Sequence, residues 1–298
     1  MTNDRMDISA ALVADLIETQ FPQWAAMPIR RVDVEGWDNR SFRLGDTMKI
    51  RMPSAARYVP QVEKEQQWLP HLAAGLPLVV PAPLAIGAPG PGYPWRWSIQ
   101  SWIAGETVTR AQIADPCRFA ADLAAFLASL RQIDPHGGPL PGQDNFHRGG
   151  DLGVYDHETR QCLAQLESRV NAAACLAVWE AARATRWSGT PVWVHGDIAT
   201  GNLLTRDDRL SAVIDFGCCA VGDPACDLVI AWTFLHGDDR AAFRTRTQLD
   251  DATWARARGW ALWKALLTLA SNSAAPTDQA AATDVIAAVL AEHRDAAR

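Results

Sequence analysis

Residues 192–228, VWVHGDIATGNLLTRDDRLSAVIDFGCCAVGDPACDL, constrain the fold of this chain more than any other stretch. Three short apolar runs, PVWVH, NLLT and SAVIDF, have strand length rather than helix length, and polar residues stand at their ends. Asp197 follows the first run, Asn202 precedes the second, and Asp215 ends the third. Asp207-Asp208 between the second and third runs is a two-residue turn signal, so these runs are expected to pair as a hairpin. That pairing would set Asn202 and Asp215 side by side at its open end. Two carboxylates and an amide gathered in this way suit phosphoryl transfer. Mg2+ prefers hard oxygen ligands, which Asn202 and Asp215 can supply. An attacking hydroxyl needs a carboxylate to orient it and accept its proton, and Asp197 can do so. His195 reads as a packed core histidine, and Asp223 and Asp227 as caps that tie down the loop around Asp197.

The surrounding text divides in two. Residues 7–20 place Ile8, Leu12, Leu16 and Ile17 on one helical face, with Asp7 or Ser9 as cap. Residues 29–36 and 40–52 read as three antiparallel strands separated by turns at Gly36-Trp37-Asp38-Asn39 and Gly45-Asp46. Residues 60–74 are helical in pattern but interrupted by Pro70, and residues 84–88 and 95–103 read as two more strands. After Gly105 the text becomes helical. A helix over 116–132 starts at Asp115-Pro116, an N-cap followed by proline at the first helical position. Residues 135–153 are a Gly/Pro-rich loop, 157–186 are mostly helical, and further helices cover 224–236, 238–248, 251–270 and 276–296. The expected class is therefore α+β. A small five-stranded antiparallel lobe with one main helix (1–104) precedes a larger, mainly helical lobe (105–298), and the joint lies near 101–106.

The text H-G-D-x-x-x-x-N followed by I-D-F-G, with eighteen positions from Asp197 to Asp215, strongly resembles the aminoglycoside phosphotransferase family. That family belongs to the protein-kinase-like small-molecule kinases, which include choline kinases. The resemblance rests on His195-Gly196-Asp197, Asn202, Ile214-Asp215-Phe216-Gly217 and Gly222-Asp223-Pro224 with Asp227-Leu228. It implies a bilobal protein-kinase-like fold with Asp197 as catalytic base, Asn202 and Asp215 as Mg2+ ligands, and Asp227 as a brace. It also implies ATP or GTP as donor and a small hydroxyl-bearing acceptor. Glycine follows His195 where protein kinases commonly carry arginine, which favours a small acceptor over a protein.

The resemblance further implies that the sheet lobe covers the nucleotide. Gly36-Trp37-Asp38-Asn39-Arg40-Ser41 can turn over the phosphates, with Asn39 and Ser41 as polar contacts. Lys49 and Arg51, two apart on one strand face, are the candidate phosphate cations, and Arg51 fits the family position better. Glu65 is expected to orient that cation in preference to Glu63. Backbone groups near Gln100–Trp102 are expected to read the purine edge, with Trp95, Trp97 and Trp102 serving as packing.

Composition supplies exclusions. A formal net charge of -6 argues against a nucleic-acid or membrane-surface binder. No apolar run is long enough to span a bilayer, and the opening residues do not read as a signal segment. The six cysteines form no C-x-x-C pair and read as reduced thiols of a cytoplasmic protein. Only Lys49, Lys64 and Lys264 are lysines, so any lysine in a functional position has few candidates. For the acceptor, Asp144, Asn145, His147 and Asp151 in the Gly/Pro-rich loop, with Asp238 and Asp239, would suit an amine-bearing substrate. An aminoglycoside-type antibiotic is the first expectation. Macrolides, choline, ethanolamine, a sugar or homoserine are alternatives, as is a catalytically silent nucleotide-binding protein.

Overall fold

The computed structural model describes residues 5–33, 36 and 38–296. Trp37 of the expected phosphate loop and residues 34–35 of the expected first strand lie outside the described residues. Helix α1 (Ala10–Gln20) starts where the Ser9 side chain accepts from the Leu12 N–H at 3.2 Å, and it buries Val13, Leu16 and Ile17. Five strands follow: β1 (Ile29–Arg31), β2 (Asn39–Leu44), β3 (Met48–Pro53), β4 (Pro83–Gly87) and β5 (Trp97–Ser101), in spatial order β1-β2-β3-β5-β4, all antiparallel. The β2–β3 hairpin turns at Gly45, whose φ of +58° is natural for glycine.

Helix α2 (Pro60–Ala73) runs through Pro70 without the interruption expected from the sequence. Proline forfeits one backbone bond and crowds the preceding turn, and in the last turn of a helix that loss is small. The described strand β1 is also shorter than the sequence suggested, and β2 begins one residue earlier, at Asn39.

The larger lobe opens with β6 (Glu106–Thr107) and α3 (Pro116–Gln132), where Asp115 caps as predicted by accepting from the Arg118 N–H at 2.9 Å. The Gly/Pro-rich loop then leads to α4 (Asp156–Gln165) and α5 (Ala172–Arg183), two helices where the sequence suggested one region. Next come β7 (Val192–Val194), β8 (Leu203–Arg206), β9 (Arg209–Val213) and β10 (Ala220–Gly222). A 3-10 turn over Pro224–Leu228 precedes α6 (Ile230–Thr233), and α7 (Gly237–Thr247), α8 (Asp251–Ala270) and α9 (Pro276–Ala296) complete the lobe. Strands β8 and β9 form the expected hairpin, with Asp207 and Asp208 both at positive φ (53° and 59°), as a two-residue primed turn requires. Strand β6 extends that hairpin, whereas β7 pairs with β10.

Two apolar clusters hold the chain. The smaller joins α1 to the five-stranded sheet through Ile8, Leu16, Phe42, Ile50 and Trp97. The larger fills the helical lobe and also takes in Leu69 and Leu72 of α2 and Val80. The linker after α2 is stitched to the hairpin, with the Val79 N–H donating to Ser211 O (3.3 Å) and the Val213 N–H donating back to Val79 O (3.0 Å). The two lobes therefore share a packed seam as well as a covalent joint. Helix α8 is buried along most of its length, and completely buried residues such as Leu262 and Leu266 contribute about 1.5–3 kcal/mol each. No helix among the described residues is long and apolar enough to cross a membrane.

Candidate active site

The polar strand ends predicted from the sequence meet at the seam between the lobes. The Ile214 N–H donates to Asn202 O at 2.9 Å, closing the hairpin and fixing Asn202 beside Asp215. The Asn202 amide nitrogen donates to the Asp197 carbonyl (2.9 Å) and to Asp197 Oδ2 (3.0 Å). The amide oxygen is thereby left as the acceptor that could face a cation. Asp215 sits at φ 66°, ψ 68°, a left-handed conformation that costs a non-glycine residue energy and points to a functional constraint.

A brace holds the loop around Asp197. The His195 and Gly196 N–H groups donate to the two oxygens of the buried Asp227, at 2.8 and 2.7 Å. His195 is fully buried; the Asp197 N–H donates to its Nδ1 (3.2 Å), so Nε2 carries the proton and donates to Ile214 O (3.1 Å). His195 thus ties the end of β7 to the end of β9. Gly196 has φ +84°, and a Cβ there would meet Cys218 O at 2.4 Å, so glycine between His195 and Asp197 is a steric requirement. Asp223 caps the following 3-10 turn and pairs with buried Arg256 of α8, at 2.6 Å to Arg256 Nε.

Across the cleft, Arg51 is buried on β3. One guanidinium nitrogen donates to both carboxylate oxygens of Glu65, 2.5 Å from Oε2, and another donates to Asp215 Oδ1 at 2.6 Å. Gln100 on β5 adds a hydrogen bond to Glu65 Oε2 (3.2 Å). Arg51 thus joins α2 to the Asp215 strand end, and Glu63 pairs instead with exposed Arg96. Lys49 does not join this cluster, and among the described residues it has no hydrogen-bond or ion-pair partner. It stands opposite Gln100, nearer the inter-lobe joint than Arg51 does. Burial, aided by the neighbouring Arg51 charge, lowers its pKa to about 8.

Asn39 and Ser41 lie within β2 rather than in a loop and are buried, Ser41 directly opposite Arg51. Of the predicted loop, Asp38 is the residue that faces the carboxylates. Its Oδ2 accepts from Gln61 Nε2 (3.0 Å), and burial, with Asp215 and Asp197 nearby, raises its pKa to about 6. Trp102 holds its ring against the Arg43 guanidinium (4.6 Å). The Ser101 and Trp102 N–H groups are bonded to Ala82 O and Thr47 O, so these two N–H groups do not read a purine edge. Trp97 is core, as expected.

Sequence reasoning missed Lys264. This α8 residue places Nζ 3.1 Å from Asp197 Oδ1. Burial works to raise the Asp197 pKa, but Lys264, then Arg148, outweigh it and hold the carboxyl below its ordinary value. Asp215 is likewise lowered, burial being overcome by Arg51 and then Lys49. Two of the acidic groups expected to receive an amine, Asp239 and Asp151, are engaged elsewhere. Asp239 is buried, caps α7 and pairs with Arg110, and Asp151 caps Gly153 and pairs with Arg186 at 2.9 Å. The residues that could hold Mg2+ are one carboxylate, Asp215, and one amide oxygen, Asn202. No cluster of three or more His, Cys, Asp or Glu suited to a metal exists among the described residues. A site of this kind fits an ion that keeps waters and takes most ligands from phosphate oxygens.

The chain matches the phosphotransferase enzyme family (APH) over residues 29–260. It belongs to that family. The match spans both lobes and every residue of the cleft described above except Lys264. No curated protein matches the chain. Among solved structures, this phosphotransferase-family chain resembles an aminoglycoside 2'-phosphotransferase in its GDP complex, at 17% identity and a TM-score of 0.71, covering 96% of this chain and 100% of that one. An aminoglycoside phosphotransferase with bound GDP and kanamycin is 18% identical with a TM-score of 0.71, covering 95% and 98%. The macrolide 2'-phosphotransferase MphH from Brachybacterium faecium is 21% identical with a TM-score of 0.59, covering 93% and 97%. At these identities the likeness shows a common kinase-like bilobal fold.

Proposed function

We propose that the protein is an Mg2+-dependent enzyme that moves the γ-phosphoryl of ATP or GTP to a hydroxyl of a small molecule. The observation that carries this reading is the convergence of Asp197, Asn202 and Asp215 on one side of the cleft with the Arg51–Glu65 pair on the other. Asn202 Oδ1 and Asp215 would hold the metal, which supplies charge neutralisation at the phosphates. Arg51, whose fork reaches both Glu65 and Asp215, is positioned to grip phosphate oxygens. Ser41, opposite it, offers a hydroxyl at the same level of the sheet. Lys49 and Gln100, nearer the joint, fall toward the base or ribose rather than the phosphates, and backbone groups beyond Trp102, from Ile103, are the first free of the ladder to meet a base. Asp197 would receive the acceptor O–H. Because its carboxyl is held at a low pKa, it is a weak base, so it orients the hydroxyl and takes the proton late in a loose phosphoryl transfer.

The nucleotide complexes of the structural neighbours support a nucleoside triphosphate donor. Nucleotide use and six free cysteines also suit a cytoplasmic enzyme. Two measurements test the reading. Calorimetric titration with MgATP and MgGTP should show metal-dependent binding that Asp215→Ala abolishes; a variant that binds Mg-nucleotide as wild type does would remove Asp215 from this role. A coupled nucleotide-turnover screen over aminoglycosides, macrolides, amino alcohols and sugars should show acceptor-dependent turnover, and turnover that no acceptor stimulates would count against transfer.

A further inference from the structure

Helix α8 presents Trp260, Trp263 and Lys264 on one face, at the i, i+3, i+4 spacing that makes helical neighbours. Lys264 reaches Asp197 Oδ1 at 3.1 Å. Over the two indoles lies Arg148, its guanidinium carbon 5.1 Å from each ring centre. The loop is anchored beside it, because the Asp223 N–H donates to Gly149 O at 2.8 Å and a Cβ on Gly222 would strike that same oxygen. Arg148 Nε is buried without a hydrogen-bond partner, and the guanidinium has no ion pair among the described residues. Its charge is nevertheless felt at Asp197. Glu158 accepts from the Trp263 indole N–H at 2.7 Å. Asp197 is therefore flanked by two cations, Lys264 and Arg148, the latter over two buried indoles, and of the acids once expected there Asp151 and Asp239 are paired elsewhere. A polycation arriving there would meet like charge, whereas a carboxylate or phosphate would find a guanidinium fork with unused donors.

We propose that Arg148 and Lys264 form an anion-holding pair beside Asp197, and that the acceptor is a small hydroxyl compound bearing a carboxylate or phosphate rather than a polycationic aminoglycoside. The proposal rests on the phosphotransferase reading and narrows its acceptor.

The test uses the full chain with Mg-nucleotide and two sets of compounds: gluconate, glycerate and glucose 6-phosphate against kanamycin and gentamicin. Turnover is followed together with calorimetric titration of each compound, which needs no turnover. Saturable binding or turnover is expected for the anionic set and none for the polycations. Arg148→Ala and Lys264→Met should each raise the KM or Kd of the anionic compound about tenfold while the nucleotide KM moves by less than about twofold. Arg148→Lys and Lys264→Arg, which keep the charge, should recover most of the loss. The proposal is overturned if a polycation is the better ligand, if no anionic compound binds or turns over, or if the variants raise the nucleotide KM instead, which would assign the pair to the donor phosphates. A wild-type protein that fails to bind Mg-nucleotide at all would remove the phosphotransferase reading itself.

Discussion

Asp197 shares its carboxylate between donors that arrive from different parts of the chain: Asn202 from its own loop and Lys264 from a helix 67 positions away. The first partner was legible in the sequence, because a catalytic carboxylate and an amide five positions on form a short motif. The second was not, since no periodicity links a helix of the last third to a strand end. The scarcity of lysine was the signal that could have found it. Two of the three lysines border the cleft: Lys49 beside Arg51 and Lys264 on Asp197. Asp38 was read only as part of a turn, and its chemistry depends on burial that the sequence does not display. Its raised pKa means that the folded state disfavours the carboxylate. The penalty is absent where both states are protonated, near pH 4 and below, and complete above about pH 6. A gap of roughly two pH units corresponds to about 3 kcal/mol, trimmed by partial solvent contact to about 1–2. Asp38→Asn should therefore raise the nucleotide-free Tm at pH 8, with the gain shrinking as the pH falls toward 4. A gain that is constant across this range would contradict the assigned burial.

At the scale of elements, regular periodicity made α3, α8 and the β8–β9 hairpin legible to within a residue or two, and turn chemistry placed the five strands. The continuity of α2 was not legible, because Pro70 breaks the rule locally while Leu69 and Leu72 beside it are held by the core of the other lobe. Tertiary packing outweighs the local cost there. The catalytic loop is held by two buried carboxylates with separate tasks. Asp227 accepts from the His195 and Gly196 backbone, and Asp223 couples the loop that follows to α8 through Arg256. Removing one partner of a buried pair leaves an uncompensated charge and costs about 3–5 kcal/mol. Arg256→Ala should lower urea stability by that amount, even though Arg256 lies outside the cleft. A loss below about 1 kcal/mol would mean that Asp223 is adequately served by its cap alone.

Across the whole molecule, one arginine spans the division that the sequence suggested. Arg51 belongs to the sheet lobe by chain order, yet it is bonded at once to Glu65 of α2 and to Asp215 of the helical lobe. The bilobal plan and the residues at its seam were legible because sheet-type and helical text are segregated along the chain. The packing of α2 and of the segment ending at Val80 onto the helical lobe was not, because these residues read simply as part of the first lobe. Under the proposed function, the metal ligands and the base stand on one side of the seam and the phosphate cation on the other, so the reaction would need both lobes, each supplied by a different part of the sequence. The most direct test is transfer from a γ-labelled nucleotide in wild type and Asp197→Asn, with nucleotide affinity measured alongside. The label should pass to a small-molecule acceptor in the wild type and remain on the nucleotide in the variant, with affinity essentially unchanged. Transfer by Asp197→Asn at the wild-type rate, or label accumulating on the protein, would contradict Asp197 as the residue that receives the acceptor's proton.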